Sequence, residues 1–436
     1  MPNNISYDVN DPRFTHLVSF AELYRLEHPS TDSKDPANKF KIEKPVKLGS
    51  FKLDKNRDIY DLSTIQPNDY QPKNNRPTKR KSDVPIEGPT GLKKRRLKSK
   101  DESTELKEAS ASTNILKVTL QSDNPNNRPY RTVQNLKSYP LKVNILSKPF
   151  NLNLGHEFLI SKQNKNIKKG YPAGLGTLLS WQEKMNCAAI HYDFICWRGI
   201  LQRIMSGFIS AKSKFTADLF AVVKSSKNKT IHLYNLPTVQ NNDSSKSEFL
   251  NQLCYQGRSF ERFVSNELPI DEDHPVNENE ESVNVYRNNI GGFSVLYGAE
   301  MDFDNCLEDG TTESYELKTT SEIWNDSTKL KFLQKSQKWW AQCFLVNVKK
   351  LIIGYRHTKT GFCYKFSECE TKDLVKLAVS EKLWRWETGV LALQELLIIL
   401  KTKIVVEDKL YVLKLDYVTS EVDWFQSDLV IDDLNF

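Results

Sequence analysis

With 436 residues and a formal net charge of +7, the chain has room for one large domain or two ordinary ones, and its charge admits a polyanionic partner without demanding one. Hydrophobic content of 39% and aromatic content of 11% are enough for a sizeable core, while a mean hydropathy of −0.56 puts part of the chain outside it. The longest apolar stretch, Val390–Leu400, is broken by Gln394 and Glu395, so no transmembrane helix and no membrane partner are expected.

The opening Met1-Pro2-Asn3-Asn4 lacks a charged segment followed by an apolar run, so no signal peptide is expected. Residues 1–110 are rich in Asn, Asp, Lys, Pro and Ser and are expected to form a mostly disordered basic arm. Within it, Lys79-Arg80-Lys81 and Lys93-Lys94-Arg95-Arg96 flank a spacer of eleven residues carrying Pro85, Gly88 and Pro89. That is the pattern of a bipartite nuclear-import signal and predicts a nuclear location; the alternative is a solvated basic loop that touches phosphates nonspecifically. From residue 111 to the end the texture is globular, and one large domain is expected there.

In chain order, Phe194–Met205 has a helical apolar pattern enclosing Arg198. Alternation in Asp218–Val223 and Thr230–Tyr234 predicts a hairpin, and Gly257-Arg258-Ser259-Phe260-Glu261 opens an amphipathic helix with Phe260 and Phe263 inward. A second strand pair covers Ser282–Tyr286 and Phe293–Asp302 about a turn at 288–292, and a further strand covers Ser314–Thr319. Lys329–Val346 is helical, Lys350–Arg356 and Phe362–Phe366 form a hairpin about Thr360-Gly361, Trp386–Thr402 is an apolar helix, and Leu410–Tyr417 is a closing strand. Strands and helices that are interspersed without strict alternation predict an α+β, mixed α/β fold with twisted mixed sheets flanked by helices. The seven cysteines show no CxxC spacing, and are read as mostly buried free thiols with no role at a zinc site.

Two tripeptides carry the chemistry. Glu300-Met301-Asp302 and Glu316-Leu317-Lys318 each lie in a predicted strand, where positions i and i+2 share a face. If the two strands are antiparallel neighbours, three carboxylates and an ammonium share a patch. Crowded carboxylates raise one another's pKa unless a cation offsets them, and Mg²⁺ or Mn²⁺ suits such oxygen donors. The lysine can orient a water or stabilise charge on a phosphate. The alternative is a solvated strand face with cross-strand ion pairs, which the apolar neighbours Tyr297, Met301, Tyr315 and Leu317 oppose. Arg198 either forks onto phosphate oxygens or makes a structural salt bridge. Glu261 either joins the site or is an exposed helical glutamate. Gln342, amid the apolar Trp339, Trp340 and Phe344, needs a partner that a phosphate or ribose would supply, and the two tryptophans are read as packing.

Trp197-Arg198-Gly199, GRSFE at 257–261, GAEMD at 298–302, YELK at 315–318 and KWWAQCFL at 338–345 resemble, in order, the motifs of the DXO decapping exonuclease family, which includes the nuclear Rat-interacting protein of fungi. The resemblance spans residues 150–420 and implies a PD-(D/E)XK-like nuclease core, with Lys318 as the motif lysine. It also implies hydrolysis at RNA 5′ ends: pyrophosphate release from triphosphate RNA, removal of incomplete or noncanonical caps including NAD, and in some members 5′→3′ exonucleolysis. By position it implies Arg198 at a phosphate. Glu261, Glu300, Asp302 and Glu316 would be catalytic metal ligands, joined by the Leu317 carbonyl, with Lys318 and Gln342 holding water and RNA. Arg258 departs from the family pattern, which has an aromatic or apolar residue there. The intact arginine motif and the stretch Phe344–Arg356 resemble the nuclear branch more than the divergent fungal exonuclease branch, and that resemblance further implies a 5′→3′ exoribonuclease partner. Competing readings are a noncatalytic adaptor that stimulates such an exoribonuclease, a sequence-specific nucleic-acid binder, and a DNA nuclease of the same architecture.

Overall fold

The computed structural model describes residues 10–19, 42–53, 59–64, 140–156, 174–185, 190–209, 217–236, 244–265, 276, 281–307, 309–357 and 359–428. In chain order its elements are β1 (Thr15–Ser19), β2 (Val46–Leu53), β3 (Ile59–Thr64), β4 (Asn144–Asn151), α1 (Gly176–Lys184), β5 (Phe194–Trp197), α2 (Arg198–Ile209), β6 (Ala217–Lys224), β7 (Ile231–Leu236), α3 (Ser244–Ser265) and β8 (Glu281–Ile290). There follow β9 (Phe293–Glu300), β10 (Phe303–Cys306), β11 (Thr312–Ser321), α4 (Asp326–Val346), β12 (Lys350–Arg356), β13 (Phe362–Glu370), α5 (Thr371–Ser380), α6 (Trp386–Lys403), β14 (Leu410–Asp416) and β15 (Glu421–Gln426).

The strands form two mixed sheets. The larger has the order β1-β15-β14-β6-β7-β5-β9-β8-β2-β3, and the smaller the order β10-β11-β12-β13-β4. Strand β5 runs parallel to both β7 and β9, and β11 runs parallel to β12; the remaining pairs are antiparallel. Period-2 alternation assigns each strand's residues to two cores. Phe194 and Cys196 of β5, with Leu351 and Ile353 of β12, face a central layer containing Met205, Trp340 and Leu396 of helices α2, α4 and α6. Ile195 turns to the outer core beneath α1, and Ile352 joins Phe260, Val264, Tyr315 and Leu317 in a third core beneath α3. Helices therefore lie between the sheets and also on both outer faces.

The mixed architecture matches the sequence expectation, and several local readings change. Residues 1–110 contribute β1, β2 and β3 to the large sheet, so that stretch is not only a disordered arm: Phe51 and Leu53 are buried there, and β2 pairs with β8. Averaged composition hid these short strands: β1 and β2 pair with β15 and β8 hundreds of residues away, and β3 is an edge strand held by β2. The clusters at 79–81 and 93–96 lie outside the described residues. Phe194–Met205 is a strand followed by a helix, and Gly257 lies in the middle of α3. Finally, β9 ends at Glu300 and pairs with β8, so Glu300 and Asp302 do not share a strand, and β9 and β11 are not neighbours. No helix among the described residues is long and apolar enough to cross a membrane. Six cysteines are described, all free thiols, four of them buried.

Candidate active site

The charged residues meet where the two sheets exchange the chain. Strand β5 runs parallel to β9 with Trp197 opposite Gly298, and a Cβ on Gly298 would fall 2.5 Å from the Trp197 ring. This close pairing brings the first residue of α2, Arg198, to the same end of the sheet as Glu300. Met301 N–H donates to the Ser282 carbonyl, closing the large sheet, and Phe303 then opens β10 in the smaller one. Asp302 thus occupies the crossing. Its carboxylate accepts from the Leu317 N–H at 2.8 Å and lies 3.2 Å from Lys318 Nζ.

On β11, Tyr315 and Leu317 turn into the outer core, which leaves Glu316 and Lys318 on the inner face, as the alternation predicts. Lys318 Nζ is 2.5 Å from Glu316 Oε1, and Arg198 donates to Glu316 Oε2 at 3.3 Å. Helix α3 brings Glu261 from the opposite side. It is seated by Phe260, whose ring fills the space above Gly354 (a Cβ there would lie 2.5 Å away), and by Phe263 stacked on Phe150 at 4.1 Å. Arg258, one turn before Glu261, donates to Glu300 at 3.3 Å.

Burial and mutual repulsion set the electrostatics. Burial first, and then the Asp302 charge, push the Glu261 carboxyl up to about 8. Burial and Glu316 lift Asp302 to about 6. Glu300 is raised by burial and by Glu281, but 35% of its side chain is exposed, and water softens the effect. Burial would raise Glu316 too, yet Lys318 and Arg198 outweigh it and hold that carboxylate low. The converse holds for Lys318: burial is overcome by Asp302 and Glu316, which keep the ammonium charged.

Four carboxylates, three of them with raised pKa values, form an all-oxygen donor set suited in chemistry to a hard divalent cation. The Leu317 N–H points to Asp302, and in a strand a residue's carbonyl shares the edge of its N–H, so that oxygen faces the same side. Among the described residues, no three acidic, thiol or imidazole groups lie close enough to hold an ion as they stand; the Lys318 ammonium fills the gap between Asp302 and Glu316.

Gln342 is half-buried on α4, next to Cys343, whose buried thiol feels the charges of Glu316, Lys318 and Arg198. Its amide has no hydrogen-bond partner among the described residues. Trp339 and Trp340 are buried and pack against Phe332, Phe344 and Trp384, as expected of packing residues. The sequence reading did not single out Lys335 of α4 or Arg356 of β12, which the fold places at the end of β11 just past Lys318. A helical interval of seven between Lys335 and Gln342 was the signal that could have marked the lysine.

A family model described as RAI1 like PD-(D/E)XK nuclease matches residues 116–430, most of the chain. The chain belongs to this family. It is on that ground a hydrolase of the decapping-nuclease type. The Drosophila melanogaster decapping and exoribonuclease protein Rai1 is 28% identical over 277 residues, which cover 57% of this chain and 72% of that one. The matched part spans between about half and three quarters of the first curated relatives. Among solved structures, Scheffersomyces stipitis Rai1 in complex with (3′-NADP)⁺ and calcium ion shares the fold with a TM-score of 0.52 at 18% identity, covering 65% of this chain and 81% of that one. Candida albicans Rai1 in complex with pU5-Mn²⁺ does so with a TM-score of 0.50 at 20% identity, covering 64% and 80%. The RAI1-like family of this chain is the one to which its five ordered motifs pointed.

Proposed function

We propose that this RAI1-like chain is a divalent-metal-dependent hydrolase of RNA 5′ ends, acting on triphosphate ends and on incomplete or noncanonical caps including NAD. The observation that carries it is the convergence of Glu261, Glu300, Asp302 and Glu316 on Lys318 at the junction of the two sheets, with three carboxyl pKa values raised. A bound Mg²⁺ or Mn²⁺, held by these four carboxylates directly or through water and by the Leu317 carbonyl, would supply Lewis-acid charge at the phosphate. The names of the relatives and the Mn²⁺ and calcium in two related structures support this reading.

The chain's own residues divide the remaining work. Lys318 orients water and offsets charge that develops on the phosphate, while Arg198 secures Glu316 and presents its remaining N–H groups towards the substrate phosphate. Gln342 offers its side-chain amide to the RNA. On triphosphate RNA, water adds its oxygen to the α-phosphorus and the bond to the α–β bridging oxygen breaks, leaving a 5′-monophosphate and pyrophosphate. Whether a strand is then degraded 5′→3′ is decided by the same assay.

Purified full-length protein is incubated with triphosphate, capped, NAD-capped and monophosphate RNA in chelator, then with Mg²⁺ or Mn²⁺ restored. Product is expected only with metal. Turnover that is indifferent to chelator, or no turnover of any 5′ end, would overturn the proposal.

The basic clusters at 79–81 and 93–96 motivate a nuclear location, and the monophosphate product motivates a 5′→3′ exoribonuclease partner that consumes it. A tagged chain tests both. Replacing Lys93, Lys94, Arg95 and Arg96 with Ala should shift it to the cytoplasm, and active bait from nuclear extract should recover an exoribonuclease. Unchanged nuclear accumulation removes the first claim, and recovery of none removes the second.

A further inference from the structure

Beyond the carboxylates, the site continues into two further cations, Lys335 and Arg356, that the proposed chemistry does not use. Ser321, three residues past Lys318 on β11, pairs with Arg356 at the end of the parallel strand β12. The Arg356 guanidinium donates to Gln256 of α3 at 2.9 Å, a neutral amide, and its Nε is buried with no hydrogen-bond partner among the described residues. From α4, Lys335 reaches over the same end of β11 and donates to the Thr319 carbonyl at 3.2 Å, again a neutral partner. Among the described residues neither Lys335 nor Arg356 is paired with a carboxylate.

Like charges are not gathered without a counter-charge unless something else provides it. Lys335 is an exposed residue, yet burial of its ammonium first, and then the charges of Arg356 and Lys318, pull its pKa down to about 8. An anion among the three would relieve that repulsion and satisfy the buried Nε. We propose that Lys335 and Arg356 form a phosphate-binding subsite, next to the carboxylate centre on the far side of Lys318, for a phosphate of the RNA other than the one that is cleaved. This rests on the reading of the chain as an RNA 5′-end hydrolase. The same chemistry is offered by a downstream backbone phosphate and by the outer phosphates of a 5′-triphosphate, and the substrates below separate them.

The test is equilibrium binding by the full-length chain, in Ca²⁺ with product formation monitored, of 5′-monophosphate RNA of two and of five nucleotides and of 5′-triphosphate RNA of two. Affinities are measured across a salt series for wild type, Lys335→Gln, Lys335→Arg and Lys331→Gln. Lys331 is an exposed lysine one turn away, outside the cluster, and controls for lost helix charge. Lys335→Gln is expected to weaken binding about tenfold at low salt and to flatten the dependence of log affinity on log salt by about 0.7, the value for one phosphate contact to a single strand. Lys335→Arg should restore most of both, and Lys331→Gln should change neither. If the loss is confined to the longer RNA, the subsite takes a downstream phosphate; if confined to the triphosphate, it takes the outer phosphates.

Wild-type binding with an unchanged affinity and salt slope in Lys335→Gln would overturn the subsite alone. Equal losses in Lys335→Gln and Lys331→Gln would also overturn it, as a diffuse charge effect. No wild-type binding to any of the RNAs would overturn the subsite together with the functional reading.

Discussion

Glu300→Gln combined with Asp302→Asn should lower hydrolysis of every RNA 5′ end together, on the order of a thousandfold or more, because one set of donors serves all the reactions. The folded protein should meanwhile gain stability at alkaline pH. The amide introduced at position 302 can still accept the Leu317 N–H through its carbonyl oxygen, and the substitutions remove two charges from a site that burial already disfavours. A carboxyl whose pKa is raised on folding adds stability that is complete below its unfolded value and is lost as pH rises through its folded value. For Asp302 that window runs from the ordinary 3.8 to about 6, and for Glu261 from 4.5 to about 8. In chelator, the wild-type melting temperature should therefore climb as pH falls from about 8 towards 4, and the double variant should show a shallower climb. Its Asp302 contribution is gone, and Glu261 no longer faces two neighbouring charges. Rates near wild type in the folded double variant would show that the site is misassigned, and an unaltered pH profile would show that these carboxyls do not carry the buried charge.

The second large effect lies a few residues further along β11. Glu322, just past the end of that strand, forms an ion pair with Lys365 of β13; both side chains are almost wholly buried, at 1% and 3% exposure. One Glu322 oxygen has no hydrogen-bond partner among the described residues. Lys365→Met would strand that carboxylate in the interior. Removing one partner of such a pair typically costs about 3–5 kcal/mol, which in a domain of this size is a fall in Tm of roughly 5–10 °C. Adding Glu322→Gln should recover most of the loss, since no charge is then left uncompensated. Thermal unfolding of the single and double variants decides it: if Lys365→Met alone unfolds like wild type, the pair is not the anchor between β11 and β13 that its burial implies.

The parts of the site that sequence made legible are those set by local periodicity. Glu316 and Lys318 share a face because strand side chains alternate, and Tyr315 and Leu317 mark the other face as core. Helix α4 and three hairpins follow from the spacing of apolar residues and turn residues. What escaped was set by pairing at a distance. Glu300 and Asp302 fall in different structural units because β9 closes one sheet and β10 opens another, and no local pattern tells a continuing strand from a strand that ends. Arg198 sits at a strand–helix junction, where an apolar run fits either period. Lys335 and Arg356 come together only because β12 lies parallel to β11 and α4 packs against β11, which puts Lys335 on the Thr319 carbonyl. The strands β1 to β3 were masked by polar surroundings, and the partners of β1 and β2, β15 and β8, are supplied by the far part of the chain.

The crossing from β9 to β10 consists of Met301 and Asp302 alone, with Met301 tied to Ser282 and packed in the central core. The chain has no slack there. An added residue would have to bulge out, carrying Asp302 away from the Leu317 N–H or pulling Glu300 out of register with Val283. The link between β10 and β11, where Asp309 and Gly310 are exposed, bears no such constraint, since it joins the edge strand β10 to β11. Length variation in this part of the molecule is thus permitted on one side of a four-residue strand and forbidden on the other, which makes the spacing between the two acids as much a requirement of the site as their charge.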